Sequence, residues 1–303
     1  MDDEVAHPYL DLSRMEQLRH VRLYPRGMVE GTLAGAHRSR FRGSAVEFTD
    51  FREYAEGDDI RLVDWKVYAR TDRHYVRLFE AERNLLTYLV VDTSGSMAYR
   101  GVVVETDPKL VYAARLAAAI GYLVIREGDE VGLSLATDQV HLHEFPRGTW
   151  PHLRTLLDKL QAAKAAGKTD LGACLQHVYT RVMRRGALVV LSDFLAPSPS
   201  LWKAIDLFRR SRFDVLLFHI VHPEELELPA VAMARFMDAE SAQGQFMTEP
   251  DVVRELYRER FGRFLGMMEE ESRARGCDWY LARTDEDPYR FLQRCFLFRE
   301  AVR

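Results

Sequence analysis

The sequence predicts a doubly wound α/β fold: a mostly parallel sheet with helices on both faces, preceded by an N-terminal extension. Three observations predict it. The runs Leu85 to Val91, Ala187 to Leu191 and Val215 to Val221 are continuously apolar and rich in branched residues, as strands buried on both faces are. Segments with helical start and stop signals separate them, the alternation that builds parallel sheets. Asp92 and Asp193 stand just past the carboxyl ends of two of those runs, where open α/β sheets receive ligands.

Taken in order, residues 1–84 read as the extension and residues 85–303 as the α/β domain. Met15, Leu18, Val21 and Leu23 recur at near-helical spacing and predict a short amphipathic helix from about Ser13. Arg38 to Arg42 is a basic, exposed arm, and Phe48 to Phe79 mixes aromatics with charges without a period. After the first apolar strand, Asp107-Pro108 offers a cap and a first-turn proline for a helix over Lys109 to Arg126, closed by Gly128. Val131 to Ala136 and Val140 to Phe145 form two strands around a turn at Thr137-Asp138. Helices follow over Trp150 to Ala165 and Asp170 to Arg184, and another from Pro199 to Ser211 precedes the third buried strand. Ala234 to Asp238 and Gln245 to Thr248 read as edge strands or a hairpin. Pro250 opens a long charged helix to about Arg275, Cys277 to Ala282 is the last strand, and a short helix closes the chain.

The composition suits a globular chain of this size: 303 residues, 47% hydrophobic and 29% charged. A net charge of −4 gives no reason to expect a polyanionic partner. Cys174, Cys277 and Cys295 are odd in number and unpaired in spacing, which points to reduced thiols and a cytoplasmic protein. The acidic start Met1-Asp2-Asp3-Glu4 is unlike a signal peptide. The most apolar helix, around Leu116 to Ile125, is interrupted by Gly121 and falls short of the roughly 18 residues a membrane span needs.

The sharpest feature is Asp92-Thr93-Ser94-Gly95-Ser96-Met97, directly after a buried strand. It offers a carboxylate and two hydroxyls on alternate residues of one loop, with Gly95 permitting the bend. Such short oxygen donors suit a hard cation, Mg²⁺ or Mn²⁺, and not a soft metal that asks for Cys or His. This pattern resembles the metal-ion-dependent adhesion site of von Willebrand factor A domains. The resemblance extends to Gly167-Lys168-Thr169-Asp170-Leu171-Gly172, which places Thr169, and to Val189-Val190-Leu191-Ser192-Asp193-Phe194, which places Asp193. It implies a metal held by Asp92, Ser94, Ser96 and Thr169, with Asp193 bound directly or through water, and a partner's acidic side chain in the open position.

Upstream, Phe51-Arg52-Glu53-Tyr54-Ala55-Glu56-Gly57-Asp58-Asp59-Ile60-Arg61-Leu62-Val63-Asp64-Trp65, followed by Ala69-Arg70, is similar to the signature of the domain-of-unknown-function 58 family. His222-Pro223-Glu224-Glu225 after the third strand extends that likeness. The resemblance implies a non-enzymatic protein-interaction module, with a MoxR-type AAA+ ATPase as partner in the maturation or remodelling of other proteins. The alternative is a Mg²⁺-dependent phosphate-ester hydrolase.

Other readings of the same residues compete. Asp-Thr-Ser-Gly-Ser alone also describes a strand-to-helix turn whose hydroxyls cap backbone groups. Gly167-Lys168-Thr169 lacks the earlier glycine of a phosphate-binding loop, since Ala162 stands there, and it follows a helix. A phosphatase of the haloacid dehalogenase type needs an acid at the place of Ser94, and a hydroxyl does not donate protons near neutral pH. No Gly-x-Ser-x-Gly elbow occurs. His141 and His143 share one strand face, which suits an exposed surface better than a metal pair. Glu269-Glu270-Glu271 reads as a solvated helix face. Asp58, Asp59 and Asp64 with Arg52, Arg61 and Arg70 read as an ion-paired network that docks the extension, with Trp65 and Tyr54 as anchors, or alternatively as a recognition surface.

Overall fold

The computed structural model describes residues 7–21, 23, 46–55, 63–81, 85–195, 198–231, 234–237, 245–248 and 250–301. The chain divides into two compact units, one of residues 1–25 with 85–303 and one of residues 26–84.

The larger unit is built on a six-stranded sheet. Its strands are β3 (Leu86–Asp92), β4 (Glu130–Ala136), β5 (Val140–Arg147), β6 (Ala187–Ser192), β7 (Asp214–Val221) and β10 (Asp278–Arg283). They lie in the order β10-β7-β6-β3-β4-β5. All neighbours are parallel except β5, which returns antiparallel along β4 through the tight turn the sequence marks at Thr137-Asp138. Counted within the sheet, this is the doubly wound order 3-2-1-4-5-6, with its switch point between β3 and β6.

The helices cover both faces and separate two apolar cores. One lies under α3 (Lys109–Arg126), α4 (Trp150–Ala162) and α9 (Pro288–Ala301). The other lies under α5 (Leu171–Tyr179), α6 (Pro199–Arg210) and part of α8 (Pro250–Ala274). The side chains of β3 alternate between the cores, Leu89 and Val91 facing one and Tyr88 and Val90 the other, so the strand is buried along its length. α5 stops five residues before the expected Arg184, where the Thr180 hydroxyl turns back to the His177 carbonyl at 2.7 Å. No helix among the described residues is long and apolar enough to cross a membrane.

The sequence expectation drew one boundary after residue 84, whereas residues 1–25 group with the sheet. The reason is burial. Met15, at the end of α1 (Leu12–Met15), joins Leu10, Leu18, Val21 and Leu23 in the core under α3 and α9. The Tyr289 hydroxyl accepts the Asp11 N–H at 2.7 Å, and Arg126 donates to the Leu18 and Val21 carbonyls at 3.2 and 3.0 Å.

The smaller unit contains an antiparallel pair, β1 (Val46–Glu53) and β2 (Tyr75–Ala81), and the helix α2 (Trp65–Thr71). Asp64 caps α2 by accepting the Lys66 N–H at 2.9 Å. Trp65 stays 56% exposed and meets Tyr68 and His74 edge-on. Asp58, Asp59, Arg61 and the Arg38 to Arg42 arm lie outside the described residues. A separate short hairpin, β8 (Ala234–Met237) with β9 (Gln245–Thr248), matches the sequence expectation to within a residue.

Candidate metal centre

Asp92 ends β3 with its carboxylate sealed from solvent. The Ser94 N–H donates to Oδ1 at 2.9 Å, and the Ser192 hydroxyl, from the end of β6, donates to Oδ2 at 2.5 Å. The Ser94 and Ser96 hydroxyls are buried and 3.1 Å apart. Two backbone bonds pin the Thr169 loop against this one: Gly95 N–H to the Gly167 carbonyl and Ala166 N–H to the Thr93 carbonyl, both at 2.9 Å. Asp170 then caps α5 by accepting the Ala173 N–H at 3.0 Å, which fixes Thr169 at the mouth of the helix. The Thr169 Oγ1 is buried yet has no hydrogen-bond partner among the described residues. A hydroxyl left in that state costs free energy unless something polar meets it.

Asp193 follows β6 and is 1% exposed. The next residue, Phe194, has φ of +49°, an unusual conformation for an aromatic residue and a local strain beside the centre. Its ring packs against His219, whose pKa burial pushes down to about 4, so that imidazole is neutral. The Asp193 carboxylate accepts from the Lys109 ammonium at 2.8 Å, and the same ammonium donates to Glu225 at 2.6 Å. Lys109 opens α3 and has no solvent exposure. Burial works against its charge, but the Asp193 and Glu225 carboxylates outweigh that and hold its pKa above the ordinary lysine value.

Charge at the centre is unbalanced. Burial, reinforced by the Asp193 charge, pushes the Asp92 pKa up to about 6, and the hydrogen bonds from Ser192 and Ser94 offset only part of this. When all are ionised, the three carboxylates of Asp92, Asp193 and Glu225 answer to one ammonium. The geometry thus brings Asp92, Ser94 and Ser96 onto one loop, binds the Thr169 loop to it, and sets Asp193 within electrostatic reach. The candidate donors are two carboxylates and three hydroxyls, and among the described residues no group of three or more His, Cys, Asp or Glu is placed to hold a metal ion. His141 and His143 make no pair: His141 is exposed, and His143 bonds the Ser134 hydroxyl at 2.9 Å.

The turn α7 (Pro223–Leu226) frames the centre. His222 caps it, and Glu225 completes the capping box by accepting the His222 N–H at 2.7 Å. The Glu224 carboxylate accepts the N–H groups of Val102, Val103 and Val104 at 2.9, 2.7 and 2.7 Å, and the Tyr99 hydroxyl at 2.7 Å. Gly101, at φ +92°, is where that loop folds onto His222; a Cβ there would lie 2.6 Å from the imidazole. The loop is therefore held firmly while Val102, Val103 and Val104 point largely into solvent. On the far side of the Asp193 loop, an apolar groove of about 490 Å³ is lined by Leu195, Leu228, Val253, Leu256, Tyr257 and Phe261.

Sequence reasoning passed over Ser192, Lys109 and the separate duties of Glu224 and Glu225. Lys109 did carry a signal: a lysine in the first turn of a helix opposes the helix dipole, so its place there asks for carboxylates.

A family model described as "Protein of unknown function DUF58" matches residues 50–264. Uncharacterized proteins of Mycobacterium bovis and Mycobacterium tuberculosis are 33% identical over 227 residues, covering 74% of this chain and 70% of theirs. Among solved structures, the conserved hypothetical protein BatB from Bacteroides thetaiotaomicron superposes with a TM-score of 0.45 and 14% identity, over 73% of this chain and 100% of that one. The SpRpn10 VWA domain gives a TM-score of 0.37 and 10% identity, over 70% of this chain and 94% of that one.

Proposed function

The chain belongs to the DUF58 family, and from that premise and the geometry of the centre we propose a metal-dependent protein-interaction module without catalytic activity of its own. The observation that carries the reading is the buried Thr169 hydroxyl, left without a partner beside a loop whose Asp92 carboxylate is short of positive charge. One Mg²⁺ or Mn²⁺ ion answers both deficits. Asp92, Ser94, Ser96 and Thr169 would hold it, with Asp193 direct or through water; their all-oxygen chemistry fits a hard cation. The bound ion supplies an electrophilic point for an acidic side chain of a partner. The exposed valines and the apolar groove beside the Asp193 loop add the desolvated contact that a protein interface needs.

The partner that family membership suggests is a MoxR-type AAA+ ATPase, acting in the maturation or remodelling of other proteins. The hydrolase alternative has less support. Ser94 occupies the position that reading needs for a proton donor, and Lys109 is committed to two carboxylates.

The test is affinity capture from the native extract with the wild-type chain and with Asp92→Ala, each in Mg²⁺ and in EDTA, followed by mass spectrometry. The reading expects an AAA+ ATPase or a client that the wild type retains in Mg²⁺ and loses in EDTA, and that Asp92→Ala never retains. Retention unaffected by both treatments would remove the metal from the mechanism.

A further inference from the structure

We propose that Lys109 is a built-in counter-charge that weakens the centre's own hold on a cation, so that cation and acidic partner bind as mutually dependent ligands. The inference rests on the metal-centre reading above and concerns its regulation. Lysine is almost never fully buried unless paired, and here its ammonium is inaccessible and lies at the helix end that repels cations. It is held there by two carboxylates with different duties. Asp193 belongs to the centre and gives Oδ2 to the ammonium at 2.8 Å, while Oδ1 accepts the Leu195 N–H at 3.4 Å. Glu225 belongs to the turn after β7 and draws on the ammonium from that side at 2.6 Å, with its other oxygen fixed by the His222 N–H.

Part of the negative charge at the centre is thus cancelled before any cation arrives. Affinity of oxygen sites for divalent ions follows the number of charged ligands, so the remaining set of one free carboxylate and three hydroxyls is a weak one. A partner's carboxylate restores the missing charge. Because coupling between two ligands is reciprocal, the cation then strengthens partner binding by the same factor. Glu225 acts as the counterweight: the more firmly it holds Lys109, the less of that charge falls on Asp193.

The charge balance gives two substitutions opposite signs. Lys109→Met removes the competing cation. Glu225→Gln removes the counterweight, while its amide oxygen can still accept the His222 N–H. Metal-free full-length protein would be titrated with Mn²⁺ by calorimetry, with Asp92→Ala as the blank. Lys109→Met is expected to bind Mn²⁺ about tenfold more tightly than wild type, and Glu225→Gln several-fold more weakly. Thermal unfolding in EDTA and in Mn²⁺ gives a second readout: Lys109→Met should be the variant whose midpoint rises most on adding metal. If Lys109→Met fails to fold, the Glu225→Gln direction decides alone. A purely structural Lys109 would shift both variants the same way, and that result, or Glu225→Gln binding more tightly, overturns the proposal. Wild type binding no better than Asp92→Ala would instead overturn the metal-centre reading itself, and this inference with it.

Discussion

Two buried charge clusters sit at opposite ends of the same sheet. At the amino ends of the strands, Arg299 bonds Asp214 and lies 2.8 Å from Asp278, the residues that open β7 and β10. At the carboxyl ends, Lys109 joins Asp193 and Glu225. Each is one cation between two carboxylates, but only the first is closed. Arg299 lies near the C-terminus of α9, where the helix dipole favours it, and its planar fork serves both acids. Lys109 lies at an unfavourable helix end, its partner Asp193 interacts with a third carboxylate, Asp92, and the loop bonded to the one after Asp92 carries a buried hydroxyl without a hydrogen-bond partner among the described residues. The first cluster, whose guanidinium reaches both acids that open the strands, ties β7 and β10 together; the second has the spare oxygen groups on which the proposed cation site rests.

The comparison breaks most visibly at Arg299. Arg299→Met leaves Asp214 and Asp278 buried without their cation, and loss of a buried partner costs about 3–5 kcal/mol. Urea unfolding should show that loss undiminished by Mg²⁺, because nothing at that end can replace the guanidinium. Recovery in Mg²⁺ would mean the two ends are not different in kind.

The same contrast explains what the sequence disclosed. The grouping of Asp92, Ser94 and Ser96 is legible because one short loop carries all three after an unmistakable buried strand. Thr169 and Asp193 are legible because each sits at its own strand or helix boundary. The ion clusters are not legible, since Lys109 meets partners 84 and 116 positions away and Arg299 meets one 85 away. No periodicity links such residues; only the closed sheet does. The antiparallel pair of β1 and β2 was hidden for another reason. Glu47, Asp50, Arg52 and Glu53 interrupt the apolar alternation that marks a strand with one buried face. The N-terminal segment was half legible: its apolar spacing was clear, but the core it joins, against α3 and α9, is formed by residues far along the chain.

An intermediate effect is expected from pH. In metal-free protein the folded Asp92 binds its proton more tightly than an ordinary aspartate, its pKa standing at about 6 against 3.8. Its contribution to stability is then full below the unfolded value and is lost as pH rises through about 6. His219, pushed down to about 4, slopes the opposite way over part of this range, so total stability of the wild type conceals the effect. The difference between wild type and Asp92→Asn isolates it. In EDTA, Asp92→Asn should gain on wild type from pH 4 to pH 7 by up to about 3 kcal/mol. Mg²⁺ should erase that gain by stabilising the ionised wild type alone. A difference that stays flat with pH in chemical-denaturation curves would mean the carboxylate is not under this strain.

The smallest expected effect on stability is the most discriminating. Thr169→Val keeps the branched shape and removes a buried hydroxyl that has no hydrogen-bond partner among the described residues. In a purely structural turn, a threonine hydroxyl caps a backbone group, and its loss costs about 1 kcal/mol. Here there is no bond to lose, and removing an unsatisfied polar group is neutral or slightly favourable. Metal-free Thr169→Val should therefore unfold within about 0.5 kcal/mol of wild type or somewhat later, while its Mn²⁺ affinity falls. Destabilisation without change in metal affinity would return Thr169 to the role of a cap and make the carboxyl end of the sheet as closed as the amino end.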